Sequence, residues 1–215
     1  MDEARERMLQ IFHSSSESDD PLSWFEEIYT KSDLDRDLIP WDWREPHPFL
    51  VEWAQSNPER GRALVIGCGL GEDAAFLSKI GWEVTAFDIS KSAVDWAKEL
   101  HSDTSVKWLV EDLLCTPDSW KRAFDLVVEV HIIQAIPREI SKSASEKLAP
   151  LVSNEGHLIC IGRIRENEEE APGPPWPLSI DFIEEIGRDL ESVELKQSKI
   201  EGKESNRYRA VWRRQ

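Results

Sequence analysis

The residue types that could do chemistry are concentrated between Arg62 and Asp88. An apolar run, RALVI, ends in the turn GCGLG, which places Gly67, Gly69 and Gly71 just before a helical pattern. A second apolar run ends at Asp88. Glycines let a ligand lie against bare backbone at the N-terminus of a helix, where N–H groups point outward. An acid at the end of the next strand can accept hydrogen bonds from a ribose, so this stretch predicts a site for a nucleoside cofactor.

The residue at position 72 distinguishes between two classes of cofactor. The turn reads GxGxG, and Glu72 stands where a dinucleotide-binding enzyme needs a small residue beside the pyrophosphate. Glu72 and Asp73 would place two negative charges next to a diphosphate, whereas a cofactor with an ammonium and a sulfonium group tolerates them. The two acids also stabilise the helix dipole, which is the alternative interpretation of both. We therefore expect S-adenosylmethionine (SAM), with Asp73 as a candidate contact and a nicotinamide dinucleotide as the alternative cofactor.

Two further side chains could act as a base or a nucleophile. His131 follows the fourth predicted strand, and a histidine can serve as a catalytic general base near neutral pH. Methyl transfer to a soft nucleophile depends mainly on alignment and needs no strong base, so a partly buried structural histidine is the alternative. Cys68 lies between two glycines, where we expect a small residue packed under the turn rather than a nucleophile.

Strand-like and helix-like segments alternate through the middle of the chain, which indicates a parallel sheet with helices on both faces. The expected strands are 63–66, 83–87, 105–110, 126–130 and 158–161. Helical patterns cover 72–80, 91–101 and 139–151, with a short piece near 118–123. Right-handed crossovers place the carboxyl ends of these strands along one edge of the sheet, where ligands bind in such folds.

The two ends of the chain depart from this alternation. The sequence predicts a helix over residues 1–13, a polar linker over 13–21, a helix to about Lys31, a Pro- and Trp-rich loop over 33–48 and a helix over 49–56. After the fifth strand come a charged loop over 165–177, a helix over 179–188 and two strands, 192–200 and 207–213, whose short link requires an antiparallel hairpin. We expect a flexible N-terminal helix and linker over 1–19 and one domain over 20–215, in which residues 20–60 form a lid over the cofactor.

The charge and composition of the chain limit its classes of partner. The 215 residues carry a formal net charge of −16, which would repel a nucleic acid. Arginines at positions 207, 209, 213 and 214 alternate with apolar residues, as on the solvent face of an edge strand. No apolar run is long enough to span a membrane, no secretory signal is expected, and three cysteines without a metal-binding motif suit a reducing cytosol. These features predict a cytoplasmic protein without a metal site and without a membrane or nucleic-acid partner.

The motifs together resemble class I SAM-dependent methyltransferases, and within them the thiopurine methyltransferase-like branch, which includes thiol and halide methyltransferases. The resemblance is carried by IPWDWREPHPFL (39–50), ALVIGCGLGEDAAFLSKIGWEVTAFDIS (63–90), VEDLL (110–114), FDLVVEVHIIQAIP (124–137) and GPPWPLS (173–179). It covers residues 20–215 and implies a Rossmann-like, doubly wound α/β fold, whose seven strands form a mostly parallel sheet with an antiparallel last strand.

The resemblance also implies roles for matching positions. These are Gly67 and Gly69 against the methionine moiety, Asp88 on the ribose hydroxyls, Asp112 and Leu113 beside the adenine, Glu129 at the amino acid end, and Trp41 over the cofactor. Cys68 and Ile89 are further candidate contacts of the cofactor. An aromatic ring over a sulfonium is favourable by about 0.5–2 kcal/mol. For Asp112 the alternative is the N-cap of a short turn. Val65 stands where most class I enzymes have an acid, as is common in this branch, and Val130 stands where the branch tends to have an aromatic residue.

The expected function is methyl transfer from SAM to a small-molecule acceptor, such as a thiol, a halide or a similar nucleophile. A nicotinamide-dependent oxidoreductase and a non-catalytic SAM-binding protein are the alternatives. Arg163 and Arg165, just after the fifth strand, are the basic residues best placed to bind an anionic acceptor, and Trp176 is a candidate wall of its pocket. The sequence identifies neither the acceptor nor the oligomeric state.

Overall fold

A computed structural model describes residues 3–16, 20–166, 173–201 and 206–215 of the chain. Helices α1 to α7 are Glu3–Ser16, Ser23–Lys31, Pro48–Ser56, Glu72–Lys79, Lys91–Leu100, Arg138–Ser145 and Ile180–Ile186. Strands β1 to β7 are Arg62–Ile66, Glu83–Asp88, Lys107–Val110, Phe124–Val130, Val152–Arg163, Glu191–Ser198 and Arg207–Arg213. The seven strands form one sheet in the order β3-β2-β1-β4-β5-β7-β6.

The strand pairing confirms the predicted doubly wound fold. Strands β1 to β5 pair in parallel, and β7 is antiparallel to both β5 and β6. The chain moves outward in one direction from β1 through β2 to β3, and in the other direction from β4 onward. The carboxyl ends of β1 and β4 therefore border the crevice at which open α/β sheets bind their ligands.

Helices cover both faces of the sheet because successive side chains of each strand point to opposite sides. In β1, Leu64 and Ile66 belong to an apolar cluster that includes residues of α6 and α7. Ala63 and Val65 belong to a second cluster, which includes residues of α3 and α4. All four side chains are buried, and burial on both faces explains why β1 reads as a continuous apolar run.

A third apolar cluster joins the N-terminal helices to the domain. Its buried members are Met8, Ile11, Phe12, Trp24, Ile28, Tyr29, Ile39, Leu70, Ala93 and Trp96. Phe12 of α1 meets Trp24 of α2 edge-on, with 5.6 Å between the ring centroids. Helix α1 continues to Ser16, so the polar linker begins later than predicted, and residues 17–19 lie outside the described residues. The predicted domain boundary at residue 19 stays a prediction.

Two predicted elements differ from the structure for local reasons. The helix expected over 139–151 ends at Ser145, and a separate 3-10 turn covers Ala149–Leu151. Pro150 explains the break, because proline lacks the N–H that a continuous helix requires. The piece expected near 118–123 is a 3-10 turn, Asp118–Trp120. Most of the acidic run at 166–170 lies outside the described residues.

The expectation that the C-terminal arginines lie on the solvent face of an edge strand is wrong for two of them. Strand β7 lies inside the sheet, between β5 and β6, because the hairpin folds β6 to the outside. Arg207 and Arg209 are consequently only 3% and 4% exposed. Arg209 pairs with Glu194 of β6 at 2.8 Å, whereas Arg207 lies at the end of the sheet where ligands bind. None of the described helices is long and apolar enough to cross a membrane.

Candidate cofactor and acceptor site

A cavity of about 380 Å³ lies at the carboxyl edge of the sheet, and residues of the segment 20–60, the predicted lid, form part of its wall. The glycine turn, the ends of β4 and β5, the start of β7 and the side chains of Arg5 and Met8 from α1 complete its walls. A smaller cavity of about 60 Å³ adjoins it. The two cavities share wall residues, namely Phe25, Ile66, Gly67, Asp88 and Ile132. They therefore form one elongated site across β1, β2 and β4.

The glycine turn borders the larger cavity with bare backbone. Gly67 and Gly69 have φ angles of +59° and +52°, in the left-handed region that side chains disfavour. A Cβ atom at Gly67 would lie 2.3 Å from Cδ1 of Ile132, and one at Gly69 would lie 3.0 Å from the hydroxyl of Tyr29. The turn has no room for side chains, which fits the close approach of a cofactor to its backbone.

Cys68 also borders this cavity, between the two glycines. Its backbone N–H donates to the carbonyl of Phe87 at 2.9 Å, which fixes the turn against β2. Burial, followed by the charge of Asp88, raises the pKa of the thiol well above its ordinary value. A protonated, buried thiol is a poor nucleophile, so the packing role is favoured.

Asp88 joins the tip of β2 to the glycine turn. Its Oδ2 accepts the N–H of Gly69 at 2.9 Å, and its Oδ1 accepts the N–H of Ser90, also at 2.9 Å. Burial raises the pKa of the Asp88 carboxyl. Because Asp88 borders both cavities, its remaining lone pairs suit the hydroxyls of a ribose that lies between them.

The residues predicted to surround the adenine lie together around the smaller cavity. Ile89, Asp112 and Leu113 all border it, at the carboxyl ends of β2 and β3. Asp112 also accepts the N–H of Leu114 at 2.8 Å, so it caps the following turn as its alternative interpretation required. The capping role and the wall position are compatible, because a carboxylate offers more lone pairs than one N–H uses.

The two acids at the start of α4 form hydrogen bonds with residues of the segment 20–60, the predicted lid, in addition to stabilising the helix dipole. Arg36 donates to Glu72 with 2.6 Å between Nη2 and Oε1, and it also binds Asp42. Asp73 accepts the backbone N–H of His47 at 2.7 Å, and burial raises its pKa to about 6. Glu72 and Asp73 both border the cavity. Their lid contacts give a structural reason for these two acids that sequence reasoning missed.

Trp41 borders the cavity together with Tyr29 of α2. The indole Nε1 of Trp41 donates to the hydroxyl of Tyr29 at 2.8 Å, and the two rings meet at 74°. The Tyr29 hydroxyl lies beside Gly69 and retains its own proton, since burial raises its pKa well above the ordinary value. Trp176 packs edge-on against Phe12, with 5.5 Å between centroids, so it anchors α1.

Glu129 is placed differently from its implied role at the amino acid end of the cofactor. It is 1% exposed and is not among the described residues that border either cavity. Its Oε1 accepts the backbone N–H groups of Ile132 and Ile133, so the carboxyl turns back beneath the loop after β4. Burial raises the pKa of Glu129 to about 7. Glu129 thus shapes the cavity wall from behind.

His131 borders the cavity, and its hydrogen bonds determine its tautomer. Two hydrogen bonds to the backbone of Arg163 fix the orientation of the Gln134 side-chain amide. Its Oε1 accepts the backbone N–H at 2.9 Å, and its Nε2–H donates to the backbone carbonyl at 3.1 Å. Nδ1 of His131 lies 2.9 Å from the same Oε1 and must therefore donate, which leaves Nε2 with a lone pair. Burial, with the charges of Arg207 and Arg163, lowers the pKa of His131 to about 4. The ring is neutral near pH 7 and is a weak base.

Three arginines gather on the same side of the cavity as His131. Arg163 and Arg207 face each other as cross-strand partners in β5 and β7, and Arg5 reaches the cavity from α1. Burial and then Arg5 lower the pKa of Arg163, and burial and then Arg163 lower that of Arg207 to about 10. Nε of Arg163 is buried without a hydrogen-bond partner among the described residues. Arg165 is exposed and is not among the described residues that border the cavity.

Comparisons with known proteins agree with this geometry. A family model described as thiopurine S-methyltransferase matches residues 31–210. Probable thiol methyltransferase 2 of Arabidopsis thaliana is 28% identical over 154 residues, which are 68% of this chain and 66% of that protein. Thiocyanate methyltransferase 1 of the same plant is 26% identical over 159 residues, 71% of this chain and 67% of that protein. The chain thus spans about two thirds of the length of these plant relatives.

A solved structure supports the fold. The N-methyltransferase NodS from Bradyrhizobium japonicum WM9, in complex with S-adenosyl-L-homocysteine, superposes with a TM-score of 0.65 at 18% identity, over 96% of this chain and 98% of that one. At this identity the likeness concerns the fold alone, and the family match concerns 180 of the 215 residues. The chain therefore belongs to the thiopurine S-methyltransferase family of SAM-dependent methyltransferases.

Proposed function

We propose that this chain transfers the methyl group of SAM to a small cytosolic acceptor that reacts as a thiolate or a similar soft anion. The observation that carries the proposal is the pair of partly buried Arg163 and buried Arg207 on the same cavity as the glycine turn. The names of the plant relatives, a thiol and a thiocyanate methyltransferase, point to the same class of acceptor. Three free cysteines support a reducing compartment.

SAM supplies a methyl carbon activated by the positive sulfonium. The backbone of Gly67 and Gly69 and the carboxylate of Asp88 are the groups that would hold its methionine and ribose parts. Asp112 and Leu113 would enclose the adenine in the smaller cavity. The lid, fixed by Arg36 and Asp73, excludes water and aligns the reactants, which is the main requirement of this displacement.

The arginine pair is the reason to expect an anionic acceptor. Like charges opposite each other on neighbouring strands are destabilising, and burial increases the effect. A bound anion would offset this repulsion at Arg163 and Arg207. Nearby cations also lower the pKa of a thiol, so a thiol acceptor would lose its proton on binding.

The overall charge makes a nucleic-acid substrate unsuitable. The net charge of −16 repels a phosphate backbone, whereas a small anion can enter a local cluster of arginines. Glu72 and Asp73 border the cavity at the N-terminus of α4, where a dinucleotide would place its pyrophosphate, and this disfavours a nicotinamide cofactor.

Methyl-labelled SAM tests the proposal with thiocyanate, iodide, hydrosulfide and 2-mercaptoethanol as acceptors. We expect the wild-type protein to methylate at least one of them, and Arg163→Gln to raise its KM about tenfold, the size of a lost charge-assisted hydrogen bond. Arg163→Gln should also raise the melting temperature of the free protein, because it removes a buried cation. The matched control, Arg165→Gln, should change neither value. Labelled product from no acceptor in the panel would contradict the proposal.

A further inference from the structure

His47 immediately precedes α3 and caps it. Its Nδ1 accepts the backbone N–H of Phe49 with 3.2 Å between the two nitrogens. An imidazole that accepts at Nδ1 and is neutral carries its proton on Nε2. Burial, followed by the charges of His131 and Arg207, lowers the pKa of His47 to about 2, so the neutral tautomer is present throughout the working pH range.

Among the described residues, the Nε2–H of His47 is buried without a partner. The side chain is 5% exposed, and its Nε2 makes no hydrogen bond within the described part of the chain. Leaving a buried N–H unsatisfied costs about 1–3 kcal/mol, so such a group in a native fold calls for a role. The ring is also held firmly, since it stacks on Trp43 with 5.1 Å between centroids at 24°.

The surroundings of the ring place it at the acceptor end of the cavity. His47 borders the cavity, and its ring centroid lies 5.8 Å from that of His131. The guanidinium carbon of Arg207 lies 5.9 Å from the ring of Trp43, on which His47 stacks. His47 thus lies near His131 and Arg207, and it is not among the described residues that border the smaller cavity.

We infer that His47 is an acceptor-recognition residue, whose Nε2–H donates a hydrogen bond to the anionic nucleophile that Arg163 and Arg207 attract. This inference rests on the proposed function and makes the acceptor more specific. The nucleophile must be small and must present lone pairs both to a neutral N–H and to a guanidinium. A cap of α3 needs only Nδ1, which leaves the Nε2–H of this cavity-bordering residue available to the acceptor.

Two substitutions test the roles of the two ring nitrogens of His47 separately. His47→Asn places an amide oxygen near the position of Nδ1, so it keeps the cap of α3 and removes the distant donor. His47→Gln reaches the position of Nε2 with an amide N–H and so restores a donor. KM and kcat are measured with methyl-labelled SAM and whichever panel acceptor the wild-type protein uses best, and the SAM Kd is measured by calorimetry.

The inference predicts that His47→Asn raises the acceptor KM about tenfold, while the SAM Kd and the melting temperature change little. His47→Gln should recover part of the loss in KM. An unchanged acceptor KM in His47→Asn, or an equal weakening of SAM binding, would overturn the inference and leave methyl transfer by the wild-type protein intact. Absence of turnover in the wild-type protein would overturn the proposed function, and the inference with it.

Discussion

Arg36 of the lid donates to Glu72 at the start of α4, with 2.6 Å between Nη2 and Oε1. The same guanidinium binds Asp42, whose side chain is only 2% exposed. These contacts connect the segment 20–60, the predicted lid, to α4, the helix that follows the glycine turn. The side chains of Arg36 and Glu72 are about four-fifths buried, so this ion pair is less screened by solvent than a surface pair.

We expect Arg36→Gln to weaken SAM binding about fivefold, which corresponds to about 1 kcal/mol for a partly exposed ion pair. The reason is that an unfastened lid spends more time open, and the affinity falls with the closed fraction. Calorimetric titration of SAM measures the change. Arg44→Gln is the control, because Arg44 pairs with Asp37 on the exposed side of the same lid. Equal effects of the two substitutions would refute a fastening role for Arg36.

His131→Asn should lower kcat less than about tenfold. Asparagine tolerates the left-handed backbone of this position, where φ is +64°, and a ring whose pKa is lowered to about 4 is a weak base near pH 7. A general base would cost about 10²–10⁴-fold when removed. The pH profile of kcat/KM with thiocyanate, an acceptor that does not titrate in this range, should be flat between pH 5 and 8 in both proteins. A hundredfold loss of kcat, together with a changed pH dependence of kcat/KM, would instead identify His131 as the general base.

Glu129→Gln should change how stability depends on pH. Burial raises the pKa of Glu129 to about 7 from an ordinary value of 4.5, so the folded protein binds more protons than the unfolded chain between these values. The free energy of unfolding therefore falls as the pH rises through this window, by up to about 3 kcal/mol from this one group. Glutamine does not ionise and keeps an oxygen for the N–H groups of Ile132 and Ile133.

Urea unfolding at pH 5 and pH 8 measures this effect. The loss of stability between the two pH values should be smaller in Glu129→Gln than in the wild-type protein. Asp73, whose pKa is also raised, titrates in both proteins and so cancels in the comparison. The same loss in both proteins would show that Glu129 is not charged by this pH change.

Local sequence was sufficient for the cofactor half of the site. The glycine turn, Asp88 and Asp112 are predictable because each depends on backbone geometry within its own strand–turn unit. The parallel sheet followed from the alternation of elements, and the antiparallel β7 followed from the short hairpin and from the resemblance to a known family. The roles of these residues toward SAM remain predictions, and their common location is a finding.

Arg163 and His131 were predicted for the proposed acceptor region, but its other residues could not be, because they depend on tertiary placement. Arg207 resembled a surface residue, since a short hairpin does not reveal which of its two strands takes the edge of the sheet. His47 lay in a segment without periodicity, and Tyr29 resembled an ordinary residue on the packed face of α2. The direction of the Glu129 carboxyl depends on the loop after β4, which the spacing of residues does not fix.

Acceptor-dependent formation of S-adenosylhomocysteine tests the central claim most directly. With SAM and thiocyanate or 2-mercaptoethanol, we predict that the wild-type protein forms S-adenosylhomocysteine and methylated acceptor in a one-to-one ratio. Asp88→Ala, which removes the carboxylate between the two cavities, should weaken SAM binding at least tenfold and reduce product accordingly. SAM that binds without acceptor-dependent turnover, or SAM binding that is unchanged in Asp88→Ala, would contradict the account.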